Sequence, residues 1–240
     1  MKGSEPVRIA FLLYPDFTQL DLTGPAQVLS RLGNVRMDYV ARSRDPVPTD
    51  AGFSILPTAT FDEADAADIL CVPGGISCVD AMEDEETLAW VRQAGERASW
   101  VTSVCTGSLI LGAAGLLHGY RAACHWAWRE HLALFGAKPV AQRVVFDRNR
   151  ATGGGVTAGI DFALALTAGI RGELHARMIQ LALEYDPAPP FDSGSPERAG
   201  AALTAAYGER MEKLAPEREA RIKAVAERVG QTGSVGQTEA

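Results

Sequence analysis

The sequence predicts an α/β fold, in which helices cover both faces of a doubly wound, mainly parallel β-sheet. Two observations support this prediction. Short, almost wholly apolar segments of strand length recur along the chain, as is typical of parallel strands buried on both faces. Segments with helical periodicity lie between them, and this alternation indicates repeated strand–helix–strand units.

The strand predictions rest on apolar or β-rich runs that end at proline or glycine. The first run stops at Pro15, and the run at residues 68–73 stops at Gly74. The proline-rich residues 45–60 are expected to form a loop or short edge strands. The predicted strands cover residues 7–13, 36–41, 68–73, 100–104, 121–124 and 143–146, with a hairpin turn at residues 147–150.

The helix predictions rest on periodicity and on residues that suit helix starts. Pro25 suits the first turn of a helix over residues 26–32, because the N–H that proline lacks has no partner there. Acidic residues gather at the start of the segment 83–98, where the helix dipole favours negative charge. The predicted helices cover residues 26–32, 83–98, 106–117, 157–169 and 173–185, and residues 197–229 form one or two more.

The chain is predicted to form one catalytic domain with a helical extension. Its 240 residues are enough to bury a core without a metal ion or a disulfide. The proline-rich residues 187–196 interrupt the alternation of strands and helices. We therefore expect a catalytic domain over residues 1–190, an extension packed on it over residues 191–229, and a disordered tail over residues 230–240.

Composition and charge exclude some classes of function. Hydrophobic residues make up 47% of the chain and charged residues 22%, which is ordinary for a soluble globular protein. The net charge of −7 provides no surplus of basic groups to neutralise nucleic-acid phosphates. No apolar segment has the roughly 18 residues that a membrane span needs. We therefore expect neither a nucleic-acid partner nor a membrane partner.

The four cysteines, Cys71, Cys78, Cys105 and Cys124, have no spacing that is typical of a metal site. The first residues of the chain are polar, so no export signal is expected. Together these observations predict a cytoplasmic protein with reduced thiols, no structural disulfide and no metal.

Cys105 is the predicted catalytic nucleophile. The β-rich run at residues 100–104 passes directly into a helical segment, and Cys105 lies at the junction. A residue at such a sharp turn projects above the edge of the sheet, as in a nucleophile elbow. The start of the helix favours negative charge, so we expect a depressed thiol pKa. The alternative is that Cys105 is simply a small buried residue.

Gly74, Gly75 and Asp21 are predicted to share a crevice with Cys105, because ligands of open parallel sheets bind at the carboxyl ends of strands. The glycines let backbone N–H groups approach a bound substrate closely, although a tight turn explains them equally well. Asp21 lies between two leucines, and desolvation there raises its pKa and suits it to proton transfer. A capping acid for the helix at Pro25 is the alternative role.

Several motifs resemble the ThiJ/PfpI superfamily. Residues 73–75, 104–107 and 153–161 carry the resemblance to the superfamily, and residues 19–25 and 185–191 are similar to its isocyanide-hydrating members. The resemblance extends over most of the chain. It implies a flavodoxin-like sheet, a homodimer, and the conversion of an isocyanide and water into an N-formamide without a cofactor.

The resemblance also implies roles for residues of the predicted site. A thiolate at Cys105 attacks the terminal carbon of the isocyanide, Asp21 delivers or relays the proton, and water attacks the resulting thioimidate. Thr106 places its hydroxyl and backbone N–H beside the reacting atoms, or caps the following helix. Proteases of the superfamily usually have histidine directly after the cysteine, so Thr106 argues against peptide hydrolysis. Whether His125 or Cys78 reaches the site is left open.

Two other functions fit the same motifs. Some transcriptional regulators carry a similar domain, including the segments at residues 104–107 and 123–126, but no basic recognition helix is evident after residue 190. The remaining version of this alternative is a ligand-sensing domain that has no DNA-binding helices. In an oxidation sensor, Cys105 would instead become a sulfinic acid.

Overall fold

The computed structural model describes the backbone of residues 5–235 and the side chains of residues 5–231. Its strands are β1 (Val7–Leu12), β2 (Val35–Ala41), β3 (Val47–Pro48), β4 (Ser54–Ile55), β5 (Ala59–Thr60), β6 (Ile69–Val72), β7 (Trp100–Val104), β8 (Arg121–Ala122), β9 (Lys138–Pro139), β10 (Val144–Asp147) and β11 (Arg150–Gly153). The central sheet has the order β10–β11–β7–β6–β1–β2–β5. β10 runs antiparallel to β11, and the other neighbouring pairs are parallel.

Two groups of helices pack around this sheet. The helices are α1 (Gln19–Leu29), α2 (Cys78–Glu83), α3 (Glu85–Arg97), α4 (Gly107–Ala113), α5 (Ala158–Arg171), α6 (Glu173–Ala182), α7 (Pro196–Leu214) and α8 (Arg218–Val235), with a 3-10 helix at Arg129–Phe135. One group contains α1, α5 and α6, and the other contains α2, α3, α4 and α8. The predicted α/β fold with a doubly wound, mainly parallel sheet is confirmed.

The central strands are buried because their sequences are apolar on both faces. Every residue of β6 is buried, and Phe11 and Leu12 of β1 are inaccessible to solvent. β1 lies between β6 and β2, so the chain leaves β1 on one side and returns to the other side for β6. Open sheets bind ligands beside such a switch point, at the carboxyl ends of the strands. The fold therefore places a crevice where β1 and β6 end.

Most of the predicted strands are present, and the hairpin turn at residues 147–150 joins β10 to β11. Residues 45–60 form short strands, as expected. The strand predicted at residues 121–124 is reduced to β8, which pairs with β9 outside the central sheet. Its backbone leaves the ladder because the Ala123 amide donates to the side chain of Thr152 at 2.8 Å.

The first helix begins earlier than predicted. α1 starts at Gln19, so Pro25 lies inside the helix and not in its first turn. Proline removes one helical hydrogen bond, but this part of α1 packs closely on α5: a Cβ on Gly159 would lie 3.0 Å from Pro25 Cδ. Tertiary packing therefore overrides the local preference of proline, and the prediction of a helix confined to residues 26–32 is wrong.

The segment predicted as one helix at residues 83–98 contains the end of α2 and the whole of α3. Asp84 separates them, because its backbone is extended and its side chain accepts a hydrogen bond from the Thr87 amide. Aspartate in this geometry is an N-cap, which starts a new helix. α4 is shorter than the predicted 106–117, and Gly115, at φ 81°, lies in the turn that follows it.

The C-terminal residues form helices, and α8 packs on the rest of the chain. Ile222 and Val225 of α8 are buried. Arg221 forms ion pairs with Asp80 of α2 at 2.6 Å and with Glu83 at 2.5 Å. These contacts attach the extension to the helix that follows the turn at the end of β6. The division into a domain at residues 1–190 and an extension remains a prediction.

The tail predicted at residues 230–240 begins inside α8, which continues to Val235. An established helix propagates one hydrogen bond at a time, and no proline stops it here. Residues 236–240 of the predicted tail and residues 1–4 of the predicted domain lie outside the described residues. Within residues 5–235, no helix combines the length and the apolar character that crossing a membrane requires.

Candidate active site

The carboxyl ends of β1, β6 and β7 meet at one edge of the sheet, as predicted. The loops that follow β1 and β6 are joined by hydrogen bonds. The Tyr14 hydroxyl donates to the Pro73 carbonyl oxygen at 3.1 Å, and the Thr18 amide donates to the Gly74 carbonyl oxygen at 2.8 Å. Cys105 follows β7 at the same edge. The three strand ends therefore form one continuous site.

Cys105 occupies a strained turn between β7 and α4. Its φ is 57°, in the left-handed region that residues other than glycine seldom adopt. Its backbone N–H donates to the Gly154 carbonyl oxygen at 2.8 Å, which helps to hold the turn. The side chain is 5% exposed and borders a cavity. This is the strand–turn–helix geometry of the nucleophile elbow that the sequence predicts.

Asp21 lies beside the thiol, in the first turn of α1. Its Oδ2 accepts a hydrogen bond from the Gly74 amide at 2.9 Å. Its Oδ1 is buried and has no hydrogen-bond partner of normal geometry within residues 5–231. The carboxyl binds an amide of the loop after β6 and none at the start of its own helix. The alternative that Asp21 is a capping acid is therefore wrong.

Thr106 ties the turn after β6 to the nucleophile elbow. Its hydroxyl donates to the Gly75 carbonyl oxygen at 2.9 Å and accepts from the Gly75 amide at 2.8 Å. It makes no capping hydrogen bond to α4, so the capping alternative is wrong for Thr106 as well. The backbone N–H of Thr106 interacts with the sulfur of Cys105. The backbone amide of Thr106 therefore interacts with the Cys105 thiol, and its hydroxyl holds the loop after β6 in place.

Gly74 and Gly75 allow a close approach of three elements. A Cβ on Gly74 would lie 2.5 Å from Thr106 N and 2.9 Å from Asp21 Oδ2, and a Cβ on Gly75 would lie 2.9 Å from Phe17 Cα. The two amides donate to Asp21 and Thr106. The protein itself therefore uses both N–H groups in this structure, and the prediction that these glycines bind substrate stays a prediction. Gly75 nevertheless lines the cavity.

Replacement of Gly74 by alanine is expected to lower the free energy of unfolding by about 1–3 kcal/mol, because the added methyl group overlaps the backbone of the elbow. Gly169→Ala is a matched control, since it adds the same group in open space on α5 and gains up to about 1 kcal/mol of helix propensity. Denaturant unfolding measures both variants. Equal stability of the two would show that the approach at Gly74 is not tight.

A cavity of about 210 Å³ opens in front of Cys105. Segments distant in the chain complete its wall. His125 and Trp128 come from the segment after β8, and Tyr207 and Met211 come from α7. Trp128, Tyr207 and Met211 are not predicted from the sequence, because no local motif marks them. The tertiary packing of α7 brings Tyr207 and Met211 to the site, and the fold of the segment after β8 brings Trp128 there.

His125 lines the cavity, whereas Cys78 does not. The His125 Nδ1 accepts a hydrogen bond from the Ala127 amide at 3.3 Å, so Nε2 carries the ring proton. Burial and the charge of Arg218 lower the pKa of His125 to about 4, and the ring is neutral near pH 7. Cys78 is inaccessible to solvent, and burial raises its pKa to about 12. It remains a buried thiol.

The expected depression of the Cys105 pKa is contradicted by the structure. Burial raises the pKa of this thiol well above its ordinary value, and the charges of Asp21 and Cys124 raise it further. The Thr106 amide lowers it, but one amide and a helix of seven residues do not replace the lost hydration. Near neutral pH, Cys105 is therefore a thiol.

Burial also raises the pKa of Asp21, from 3.8 to about 8. The Gly74 amide and the Cys105 thiol lower this pKa, and the carboxylate of Asp50 raises it. The raised pKa predicted from desolvation is thus confirmed. Near pH 7 the site holds a protonated carboxyl beside a protonated thiol, a pair that can exchange protons without separating charge.

Known proteins resemble this chain over most of its length. The sequence profile described as the DJ-1/PfpI family matches residues 7–168. The isonitrile hydratase of Pseudomonas putida is 52% identical over 197 residues, which are 82% of this chain and 86% of that protein. The transcriptional regulator GbdR of Pseudomonas aeruginosa is 31% identical over 76% of this chain, and the match spans 50% of that regulator.

Solved structures agree with the sequence relatives. The crystal structure of a ThiJ/PfpI family protein from Pseudomonas syringae matches with a TM-score of 0.87 and 46% identity, covering 92% of this chain and 90% of that one. The chain therefore belongs to the DJ-1/PfpI family.

Proposed function

We propose that this chain is an isocyanide hydratase, which adds water to R–N≡C and releases the N-formamide. The observation that carries the proposal is the Cys105 thiol, which lines a small cavity, paired with the buried Asp21 carboxyl directly beside it. An isocyanide is narrow at its reactive carbon and has no net charge, which suits this cavity. The 52% identity to an isonitrile hydratase supports the same assignment.

In the first step, the sulfur of Cys105 bonds to the terminal carbon of the isocyanide. That carbon also carries a lone pair, which must receive a proton. The carboxyl of Asp21 donates its proton to the carbon and takes the thiol proton in exchange. The net result is addition of S–H across one carbon, which gives the thioimidate R–N=CH–S. Because the pair starts and ends neutral, no charge is created in a buried site.

In the second step, water adds to the C=N bond of the thioimidate. Its oxygen bonds to carbon, one proton reaches nitrogen, and the intermediate is R–NH–CH(OH)–S. The C–S bond then breaks, the hydroxyl proton returns to the sulfur through Asp21, and R–NH–CHO leaves. Asp21 is the proton carrier in this scheme because His125 is neutral, with its Nδ1 already accepting a hydrogen bond.

The thiol chemistry favours the hydratase over an oxidation sensor. Susceptibility of a cysteine to oxidation follows its thiolate character and its exposure. Cys105 is 5% exposed, and burial raises its pKa, so both properties oppose rapid oxidation by peroxide. A sensor would have the opposite properties.

An activity assay separates these functions. Purified protein is mixed with phenyl isocyanide, and the absorbance of the formamide product is followed. Turnover in the wild-type protein supports the hydratase. Absence of turnover, together with selective oxidation of Cys105 by peroxide, would support the sensor and contradict the proposal.

We also propose that the chain forms a homodimer through α6. Leu174, Met178 and Leu181 are 75%, 59% and 82% exposed, and their spacing places them on one face of that helix. Leu181→Glu is expected to convert the dimer into a monomer in sedimentation velocity. Leu56 is 66% exposed and lies outside α6. Leu56→Glu therefore serves as the control and should leave the dimer intact. A monomeric wild-type protein would refute the assignment.

The proposed location is the cytoplasm. All four cysteines are free and buried, as suits a reducing compartment. Fractionation of the native cells tests this, and recovery of the protein outside the cytoplasmic fraction would contradict it.

A further inference from the structure

Part of the cavity wall comes from the C-terminal extension and not from the segment that the family profile matches. Tyr207 and Met211 of α7 line the cavity with Cys105, whereas the match ends at residue 168. Met211 is buried, so this wall is packed against the domain. Arg218, which follows α7, lies over the ring of Trp128 at 4.9 Å from its centroid. The part of the wall formed by α7 is therefore held by the burial of Met211 and by the contact of Arg218 with Trp128.

Tyr207 belongs to a group of three rings, which we call the aromatic cluster. Its ring centroid lies 5.2 Å from that of Trp126 and 6.2 Å from that of His125, and the His125 and Trp126 centroids are 5.7 Å apart. All three side chains are partly exposed. Their interplanar angles are 31°, 46° and 31°, so the rings present tilted faces and do not form a closed stack.

The aromatic cluster stands between the cavity at Cys105 and a neighbouring cavity. The second cavity has a volume of about 380 Å³ and includes Trp126 in its lining. His125 and Val156 line both cavities. His125 and Tyr207 of the aromatic cluster line the cavity at Cys105, so the R group of a substrate bonded to Cys105 lies beside these rings.

We infer that the aromatic cluster, through the ring of Tyr207, selects isocyanides that carry a flat aromatic R group. This inference rests on the proposed function and names its substrate class. An aromatic R group gains offset or edge-to-face contacts with these rings, whereas a saturated ring of the same size gains only apolar burial. One aromatic contact changes a rate or binding constant by about two- to tenfold.

The ring of Tyr207, and not its hydroxyl, carries this inference. Within residues 5–231 the hydroxyl of Tyr207 has no hydrogen-bond partner that would fix it for a polar contact to the R group. Burial raises the pKa of Tyr207, so the hydroxyl stays protonated near pH 7. Tyr207→Phe keeps the ring and removes only this group.

The test compares phenyl isocyanide with cyclohexyl isocyanide, which has nearly the same size but no aromatic face. The wild-type protein is expected to show a higher kcat/KM for the phenyl compound. Tyr207→Ala should reduce this preference by about two- to tenfold, and Tyr207→Phe should retain it. Leu203→Ala is the matched control, because Leu203 lies on the same helix, is 54% exposed and does not line the cavity.

The outcomes separate this inference from the proposed function. Equal preference in wild type and Tyr207→Ala, with both substrates converted, overturns the aromatic selection and leaves the hydratase standing. Loss of the preference in Tyr207→Phe overturns it as well, because the hydroxyl would then be the selecting group. Absence of formamide from either substrate with wild-type protein contradicts the hydratase itself.

Discussion

Replacing Cys105 by alanine is expected to lower kcat/KM for formamide formation by roughly 10⁴-fold or more, because the covalent step loses its nucleophile. The fold should survive. Alanine retains the Cβ, so the left-handed backbone at φ 57° is no more strained than before. Product absorbance measures the first effect, and denaturant unfolding measures the second.

Cys105→Gly provides the matched control for this variant. It is equally inactive in our scheme, but glycine adopts a positive φ without steric conflict. We expect it to be more stable than Cys105→Ala by about 1 kcal/mol, the usual cost of a left-handed residue with a Cβ. Formamide turnover in either variant would show that the sulfur of Cys105 is not the nucleophile.

Asp21→Asn is expected to reduce kcat by about 10²- to 10⁴-fold, the range typical of a lost proton-transfer group. The amide keeps the shape of the carboxyl, and its oxygen still accepts from the Gly74 amide. It carries no exchangeable acid proton for the isocyanide carbon. Full activity in a stably folded variant would exclude Asp21 as the proton carrier.

The same substitution should change how stability depends on pH. The folded-state pKa of Asp21 is about 8, above its ordinary value of 3.8, so the folded protein binds more protons than the unfolded chain between these values. The contribution of the Asp21 carboxyl to the free energy of unfolding is therefore fully present below about pH 4, and it is lost as the pH rises through about 8. Across this pH window the free energy of unfolding of the wild-type protein should fall by roughly several kcal/mol. The Asp21→Asn variant should not show this decrease.

Measurement of the unfolding free energy from pH 5 to pH 9 tests this difference. Activity gives a second reading, because the scheme needs the protonated carboxyl, and kcat/KM should fall above about pH 8. A rate that rises through pH 8 would indicate that Asp21 acts first as a base.

Local features of the sequence were sufficient to predict the fold and the strand–turn–helix geometry at Cys105. The strand, turn and helix around Cys105 are encoded within a few residues, and the parallel order of strands brings their carboxyl ends together. The start of α1 was missed because the packing of Pro25 against Gly159 is a tertiary contact. Local rules for proline do not include such a contact.

Burial explains why the thiol pKa was predicted in the wrong direction. The position of Cys105 before a helix is visible in the sequence, but the depth at which α1, β6 and α7 enclose it is not. Desolvation depends on that depth and outweighs the local amide. For the same reason, the hydrogen bonds that occupy the Gly74 and Gly75 amides required the structure.

Met211 and Tyr207 lie far along the chain from Cys105, although all three residues line the same cavity. Mutation can therefore reshape the outer wall without disturbing the elbow. Related proteins with different C-terminal helices can therefore catalyse the same reaction on different substrates. A designer seeking a new specificity has the same freedom, and a library confined to α7 is the natural place to begin.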